Sequence, residues 1–245
     1  FALFHERDTM KSNNTHSDIS FSGAERAAIY KCIFNRRDVR GQFLPTPIPD
    51  EILARILRAA HHAPSVGFMQ PWDFIVIRDA AVKRKVHDAF QSADAEAAEM
   101  FEEEDRKHAY RSLKLEGILE APVGICITCD RNRSGPTVLG RTHQPEMDLY
   151  SSVCAAQNLW LAARAENIGV GWVSILQYDD LRDALDIPPS IQPIAYLCAG
   201  YVSHFLPNPE LERAGWLPRG SLDKVVWFDR WNGRSGSEPL LDHLR

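Results

Sequence analysis

The order of helix-like and strand-like patterns constrains the fold of this 245-residue chain more than any other feature. Some segments carry apolar residues at helical spacing, and others are short apolar runs that are typical of buried strands. The predicted helices cover residues 24–35, 49–60, 148–167 and 179–186, with a longer charged helical stretch, in more than one piece, over 80–119. The predicted strands cover residues 74–77, 123–129, 170–175 and 194–202. Because these elements do not alternate regularly, we expect an α+β fold with a mixed central sheet flanked by helices.

The two ends of the chain differ from its middle and suggest three parts. Residues 1–20 form a polar N-terminal extension, and residues 21–205 carry the regular patterns. Residues 206–245 contain half of the six tryptophans, together with prolines that prevent long regular elements. So much aromatic surface is not left in water, and we expect this C-terminal arm to be exchanged in a homodimer, packing on the partner subunit.

Composition narrows the class of protein. The net charge of −5 disfavours a general binder of nucleic acid or of acidic membranes, which needs a basic surface. No segment reaches the roughly 18 uncharged apolar residues of a membrane span. The first twenty residues also lack the apolar region of a signal peptide, so we expect a cytoplasmic protein.

The cysteines and the scattered metal-ligand types do not form a recognisable metal site. Cys126 and Cys129 have CxxC spacing but lie in a predicted strand, where residues three apart point to opposite faces. His143, Glu146 and Asp148 match no common metal-site spacing, and Asp148 suits a helix cap. We therefore expect core cysteines and no metal.

Arg36-Arg37-Asp38-Val39-Arg40 places three guanidinium groups around one carboxylate, directly after the first helix. Arginine presents a planar fork of donors that fits phosphate, so the cluster suggests a phosphorylated ligand. Asp38 is unexpected in an anion site, and it either orients the arginines or takes part in chemistry. For this stretch alone, a solvated charge run at a helix end is the alternative.

The stretch from Ala63 to Trp72 is a second candidate site. Its two prolines and one glycine fix an irregular loop that is nevertheless rich in apolar and aromatic residues. Such a loop lines a pocket for a flat ligand or forms a buried structural turn. Farther along, the glycines of Gly169-Val170-Gly171 indicate that a ligand or another backbone approaches a strand closely.

In combination these motifs resemble the flavin-binding nitroreductase superfamily. Within this superfamily the motifs resemble the flavin destructase branch in particular. The resemblance covers nearly everything from Phe21 to the C-terminus. It rests on five stretches: Arg36–Arg40, Pro64–Trp72, Glu99–Phe101, Tyr110–Gly117 and Gly169–Ser174. Ordinary nitroreductases usually carry Ser at the position of Asp38 and Asn near Gly67, and both departures are those of the destructase branch.

The resemblance implies a reaction in which reduced FMN and dioxygen give 5,6-dimethylbenzimidazole, the lower ligand of vitamin B12, and erythrose 4-phosphate. FMN is then a substrate, and a separate flavin reductase supplies it in reduced form. By the same resemblance Asp38 and Ser174 are catalytic, with Asp38 as an acid/base that nearby arginines keep ionised.

The resemblance also implies a set of flavin contacts. Arg36, Arg37 and Arg40 would hold the phosphate, with Arg111 contributing from the long helical stretch. The remaining contacts lie beside or over the flavin: Val39, Ser65, Gly67, Phe68, Met69, Met100 and Leu115. Gly67 would leave room for oxygen beside the ring, and the apolar residues would exclude water.

Two other functions stay open at this point. One is an FMN-dependent NAD(P)H oxidoreductase of the nitroreductase or cobyrinic acid a,c-diamide reductase type. The other is a flavin carrier without turnover. Asp38, in place of the usual Ser, favours the destructase over both.

Overall fold

The computed structural model describes residues 20–233 and 239–244. Its α-helices are α1 (Gly23–Asn35), α2 (Asp50–His61), α3 (Ala80–Glu99), α4 (Glu104–Arg111), α5 (Met147–Ala165), α6 (Tyr178–Leu185) and α7 (Glu210–Arg213). Its strands are β1 (Trp72–Ile77), β2 (Val123–Asp130), β3 (Gly169–Val173) and β4 (Ile191–Gly200). Short 3₁₀ turns cover Val66–Phe68, Leu222–Lys224 and Pro239–His243.

The four strands form one sheet in the order β1-β2-β4-β3, and every neighbouring pair is antiparallel. The expected mixed sheet is therefore wrong for these strands. Among the described residues, the parallel pairing is an isolated bridge between Asp38 and Val170. Strand β2 is buried along nearly its whole length, a pattern that parallel strands also show, so burial alone does not reveal strand direction.

Helices cover both faces of the sheet and build two core clusters. On one face α2 and α5 pack together, with Ile56 and Leu159 fully buried against the strands. On the other face α3 and α6 enclose a second cluster around Phe90 and Tyr196. Because α5 is buried along most of its length, it fixes the segments that touch it at either end.

The predicted helices and strands are all present, with three local corrections. The charged helical stretch ends at Arg111 rather than near residue 119. Strand β3 ends at Val173, which leaves Ser174 in the loop that follows. Asp148 lies inside the first turn of α5 instead of capping it, and its buried carboxylate pairs with Arg131 and Arg141.

The first part of the C-terminal arm packs on its own chain. Trp216 contacts Phe101 and Tyr110 edge-on or tilted, and the guanidinium of Arg106 lies 4.5 Å above the Trp216 ring. The later part is exposed, and the side chain of Trp231 is 82% accessible. Packing of the arm on a partner subunit stays a prediction. No helix in the described ranges is long and apolar enough to cross a membrane.

Candidate functional site

The arginine-rich turn is held against the edge of the sheet by backbone contacts. The amide of Val39 donates to the carbonyl of Val170 at 3.0 Å, and the Val39 side chain is buried. A Cβ at Gly171 would lie 2.0 Å from the Val39 carbonyl oxygen, so this position requires glycine. The close approach that the glycine pair predicts is thus made by the turn itself.

Asp38 is fixed by two hydrogen bonds. The backbone amide of Trp172 donates to Oδ1 at 2.9 Å, and the guanidinium of Arg40 donates to Oδ2 at 2.8 Å. Burial raises the pKa of the Asp38 carboxyl, although Arg40, the Trp172 amide and Arg36 each act to lower it. Desolvation of the carboxyl is the largest of these effects, and the expectation that nearby arginines keep Asp38 ionised stays a prediction.

The three arginines of the turn differ in the groups that they contact. Arg37 donates to the carbonyls of Leu206 and Pro207, and also to those of Phe34 and Arg36, so it ties the C-terminal arm to the end of α1. Its guanidinium is committed to these carbonyls, which argues against the phosphate role expected for it.

Most of the Arg40 guanidinium is likewise paired within the protein. Its side chain is 9% exposed and lies between Asp38 at 2.8 Å and Glu210 at 3.6 Å. One buried guanidinium between two carboxylates does not offer the open positive charge that a phosphate ligand needs. Arg40 orients Asp38 instead.

Two arginines remain available for an anion. The guanidinium of Arg36 lies 4.5 Å above the ring of Trp160, and within the described ranges neither Arg36 nor Arg219 donates a side-chain hydrogen bond to the protein. Arg219 was not among the predicted site residues. It lies 179 positions after Arg40 in an arm without periodic pattern, so only the folded structure brings it to the turn.

These side chains line a cleft of about 130 Å³ that the C-terminal arm closes. Its walls are Arg36, Arg37, Asp38, Arg40, Pro209, Glu210, Leu211 and Arg219. Two buried polar atoms here have no hydrogen-bond partner, Nε of Arg40 and Oε2 of Glu210. Buried polar groups are nearly always paired, so the cleft has the character of an incomplete binding site.

The loop that follows α2 is rigid and strained. Gly67, Phe68 and Gln70 all have φ between 50° and 53°, in the left-handed region. The Ser65 hydroxyl accepts from the Gln70 amide at 3.0 Å, which closes the turn, so this serine has a local structural role. Strain of this kind is concentrated at functional sites.

The surroundings of Gly67 are crowded on one side. A Cβ at Gly67 would lie 2.8 Å from both the Leu139 carbonyl oxygen and a Val138 methyl group. The 138–139 segment therefore fills the space on the Cβ side of Gly67, and room for oxygen beside a bound flavin stays a prediction. Met69 is buried, whereas the side chain of Phe68 is 82% exposed.

The remaining predicted residues lie in three places. Met100 is exposed at the end of α3, and Arg111 pairs with Glu99 at 2.8 Å; neither lines the cleft beside the arginine turn. Leu115 is half-buried against the second core cluster, near Gly117, whose Cβ would meet the Arg40 carbonyl oxygen at 2.6 Å. Ser174 is exposed two residues after Trp172, beside the backbone that positions Asp38.

Helix α5 contacts both the arginine turn and the strained loop that contains Gly67. Trp160 lies under Arg36, and the hydroxyl of Ser151 accepts from the amide of Val66 in the strained loop. Ser151 and Trp160 are nine positions apart, which corresponds to about 14 Å along the helix axis. A single site that used both groups would need an extended ligand.

Comparison with known proteins agrees with this architecture. The family model for the nitroreductase family matches residues 33–201. A 5,6-dimethylbenzimidazole synthase of Rhodospirillum rubrum is 45% identical over 184 residues, which cover 75% of this chain and 86% of the relative. A second protein of that name, from Rhodobacter capsulatus, is 36% identical over 198 residues, covering 81% and 95%.

Solved structures confirm the predicted nitroreductase-like fold. Iodotyrosine deiodinase bound to FMN and 3-iodo-L-tyrosine superposes with a TM-score of 0.66 at 19% identity, covering 83% of this chain and all of that one. A nitroreductase family protein of Clostridium novyi NT gives a TM-score of 0.56 at 21% identity, covering 84% and 95%. At these identities the likeness concerns the fold alone.

Proposed function

Since this chain belongs to the nitroreductase family, we propose that it is a flavin destructase. It binds reduced FMN and, with dioxygen, fragments it to 5,6-dimethylbenzimidazole and erythrose 4-phosphate, and the remaining pyrimidine ring of the flavin leaves as a third product that carries the oxygen. The relatives that are 45% and 36% identical carry the name of this activity. The observation that carries the proposal is the Asp38 carboxyl, held between Arg40 and the Trp172 amide beside two uncommitted arginines.

The cleft fits one end of FMN. Its volume of about 130 Å³ is below the ~300 Å³ of a pocket for a whole small-molecule ligand, so it takes a part of the molecule. Arg36 and Arg219 supply the charge for a phosphate monoester, which carries about −1.5 to −2 at neutral pH. The unpaired Arg40 Nε adds a buried donor for a ligand oxygen.

Asp38 is suited to moving a proton. A carboxyl with a raised pKa keeps a proton closer to neutral pH than an ordinary aspartate, so it can act as an acid and then as a base. Arg40 and the Trp172 amide fix the direction of the carboxyl. Reduced FMN, as the substrate, would supply the electrons that reduce dioxygen, and we assign to the exposed Ser174 hydroxyl a hydrogen bond to the same ligand.

We further propose that the protein is a homodimer supplied with reduced FMN by a separate flavin reductase. Helix α1 has no buried residue, and its apolar side chains Ile29, Ile33 and Phe34 are exposed. Beside them Leu161 lines an apolar groove of about 300 Å³. Together with the exposed Trp231, this is more apolar surface than a monomer usually leaves in water. Sedimentation at micromolar concentration tests the dimer, and a clean monomer would overturn it.

One experiment separates the destructase from the other two functions. The protein is mixed with reduced FMN without oxygen, air is admitted, and the flavin absorbance and the products are followed. Loss of flavin absorbance with formation of 5,6-dimethylbenzimidazole is expected. Full recovery of oxidised FMN would overturn the proposal, and consumption of NAD(P)H would then indicate an oxidoreductase rather than a carrier.

A further inference from the structure

Glu210 contributes a half-buried side chain, 27% exposed, that the proposed reaction does not yet use. It begins the short helix α7 on the C-terminal arm and lines the same cleft as Asp38 and Arg40. Its Oε2 lies 3.6 Å from Nη1 of Arg40 and has no hydrogen-bond partner. In the same cleft, Nε of Arg40 is also buried and unpaired. A donor and an acceptor are therefore left without partners in one cleft.

The ligand group that satisfies both atoms must itself donate and accept. Phosphate at neutral pH offers acceptors only for this purpose, and its charge would be repelled by the Glu210 carboxylate. A hydroxyl group donates one hydrogen bond and accepts others, so it can donate to Oε2 of Glu210 while it accepts from Nε of Arg40. An aromatic ring edge or an alkyl chain would leave both atoms unpaired at a cost.

We propose that Glu210 and Arg40 together recognise a hydroxyl group of the ligand's polyol chain, next to the phosphate that Arg36 and Arg219 bind. The inference rests on the proposed function, because FMN is a flavin joined to its phosphate through a hydroxylated chain. Glu210 then makes the site selective for polyol phosphates over other phosphate esters. The C-terminal arm becomes part of the binding site as well as its cover.

The test compares two ligands and a matched set of variants. The ligands are oxidised FMN and a flavin phosphate whose chain is a plain pentyl group, and binding is measured by flavin fluorescence. The wild-type protein should prefer FMN roughly ten- to hundredfold, as expected for a hydrogen bond to a charged group. Glu210→Met should lose most of this preference by weakening FMN binding alone. Glu210→Gln, which keeps an acceptor, should retain part of it.

Glu212→Met is the control, because Glu212 lies on the same short helix but does not line the cleft. It should leave the preference unchanged, and thermal unfolding of all variants checks that the arm stays folded. Equal weakening of both ligands by Glu210→Met would mean that Glu210 only holds the arm, and would overturn the inference. Unchanged binding of both would also overturn it. Since binding is measured with oxidised ligands, a wild-type protein that shows the preference but makes no benzimidazole would refute the proposed reaction alone.

Discussion

Replacing Asp38 by asparagine tests the centre of the proposed site with almost no change in shape. The amide oxygen can still accept from the Trp172 amide, whereas the negative charge facing Arg40 is lost. Binding of FMN should be as tight as before or tighter, since a carboxylate beside a phosphate opposes anion binding. Formation of 5,6-dimethylbenzimidazole should fall by roughly 10²- to 10⁴-fold, the usual contribution of a positioned acid or base.

The structure also sets the expected effect on stability. Removing one partner of a buried ion pair costs about 3–5 kcal/mol when the other charge is left alone. Here Glu210 remains 3.6 Å from Arg40, so the loss should be nearer the 1.5–3 kcal/mol of a single charged hydrogen bond. Urea unfolding at neutral pH measures this difference.

The pH dependence of stability is a second test of the Asp38 carboxyl and of its raised pKa. Because burial raises the pKa of Asp38, the folded protein holds this proton more tightly than the unfolded chain does. The free energy of unfolding contributed by this group therefore decreases as the pH rises from the ordinary aspartate pKa of about 3.9 through the raised value. The asparagine variant should lack that contribution.

The assay is single turnover of reduced FMN with air-saturated buffer, with the benzimidazole quantified by chromatography. Asp73→Asn is the matched control, because Asp73 is an exposed aspartate paired with Arg133 and lies outside the site. It should keep the wild-type rate. If Asp38→Asn binds FMN and also forms product at the wild-type rate, the acid/base role of Asp38 is refuted.

Three further changes test the surroundings of Asp38. Ser174→Gly should consume oxygen while forming less benzimidazole, and an unchanged ratio of product to oxygen would exclude its role. Arg36→Ala should weaken binding of FMN but not of riboflavin, which has no phosphate. Arg55→Ala, which removes an exposed arginine, is the control. Equal losses of affinity for both flavins in Arg36→Ala would contradict the phosphate role of Arg36. Gly171→Ala should destabilise the protein by at least about 1–3 kcal/mol in urea unfolding, since its Cβ would overlap a carbonyl oxygen. Gly23→Ala, where a Cβ meets nothing within 4 Å, should be neutral or stabilising, and similar stabilities of the two variants would refute the packing argument.

The elements of the fold follow from the sequence because they depend on local periodicity. Helix α5 is an apolar, alanine-rich pattern between residues 148 and 167, and its observed bounds differ from that by one residue at the start and two at the end. Strand direction does not follow in the same way. The continuous burial of β2 arises from helices on both faces, and it is compatible with either orientation.

For the candidate site as well, local motifs can be recognised in the sequence, whereas long-range contacts cannot. The arginine turn is a compact motif that can be recognised from neighbouring residues, and the glycines of 169–171 predict a close approach to the strand, but not the partner that makes it. The sequence does not reveal which arginines are available for a ligand, because Arg37 is bound by carbonyls 169 and 170 positions away. The contact that fills the space beside Gly67 is likewise made by a distant segment, at residues 138–139. Long-range contacts of this kind are decided by tertiary packing and leave no local pattern.

The attachment of the C-terminal arm has a practical consequence for work with this protein. Trp216 is seated against Phe101 and Tyr110, and Arg219, only three residues later, lines the cleft. Any ligand that uses Arg219 therefore binds only while the arm is docked, so ligand affinity and arm docking are thermodynamically linked. Proteolytic trimming just after residue 205 would remove Arg219 and lower the measured flavin affinity without altering a residue of the arginine turn.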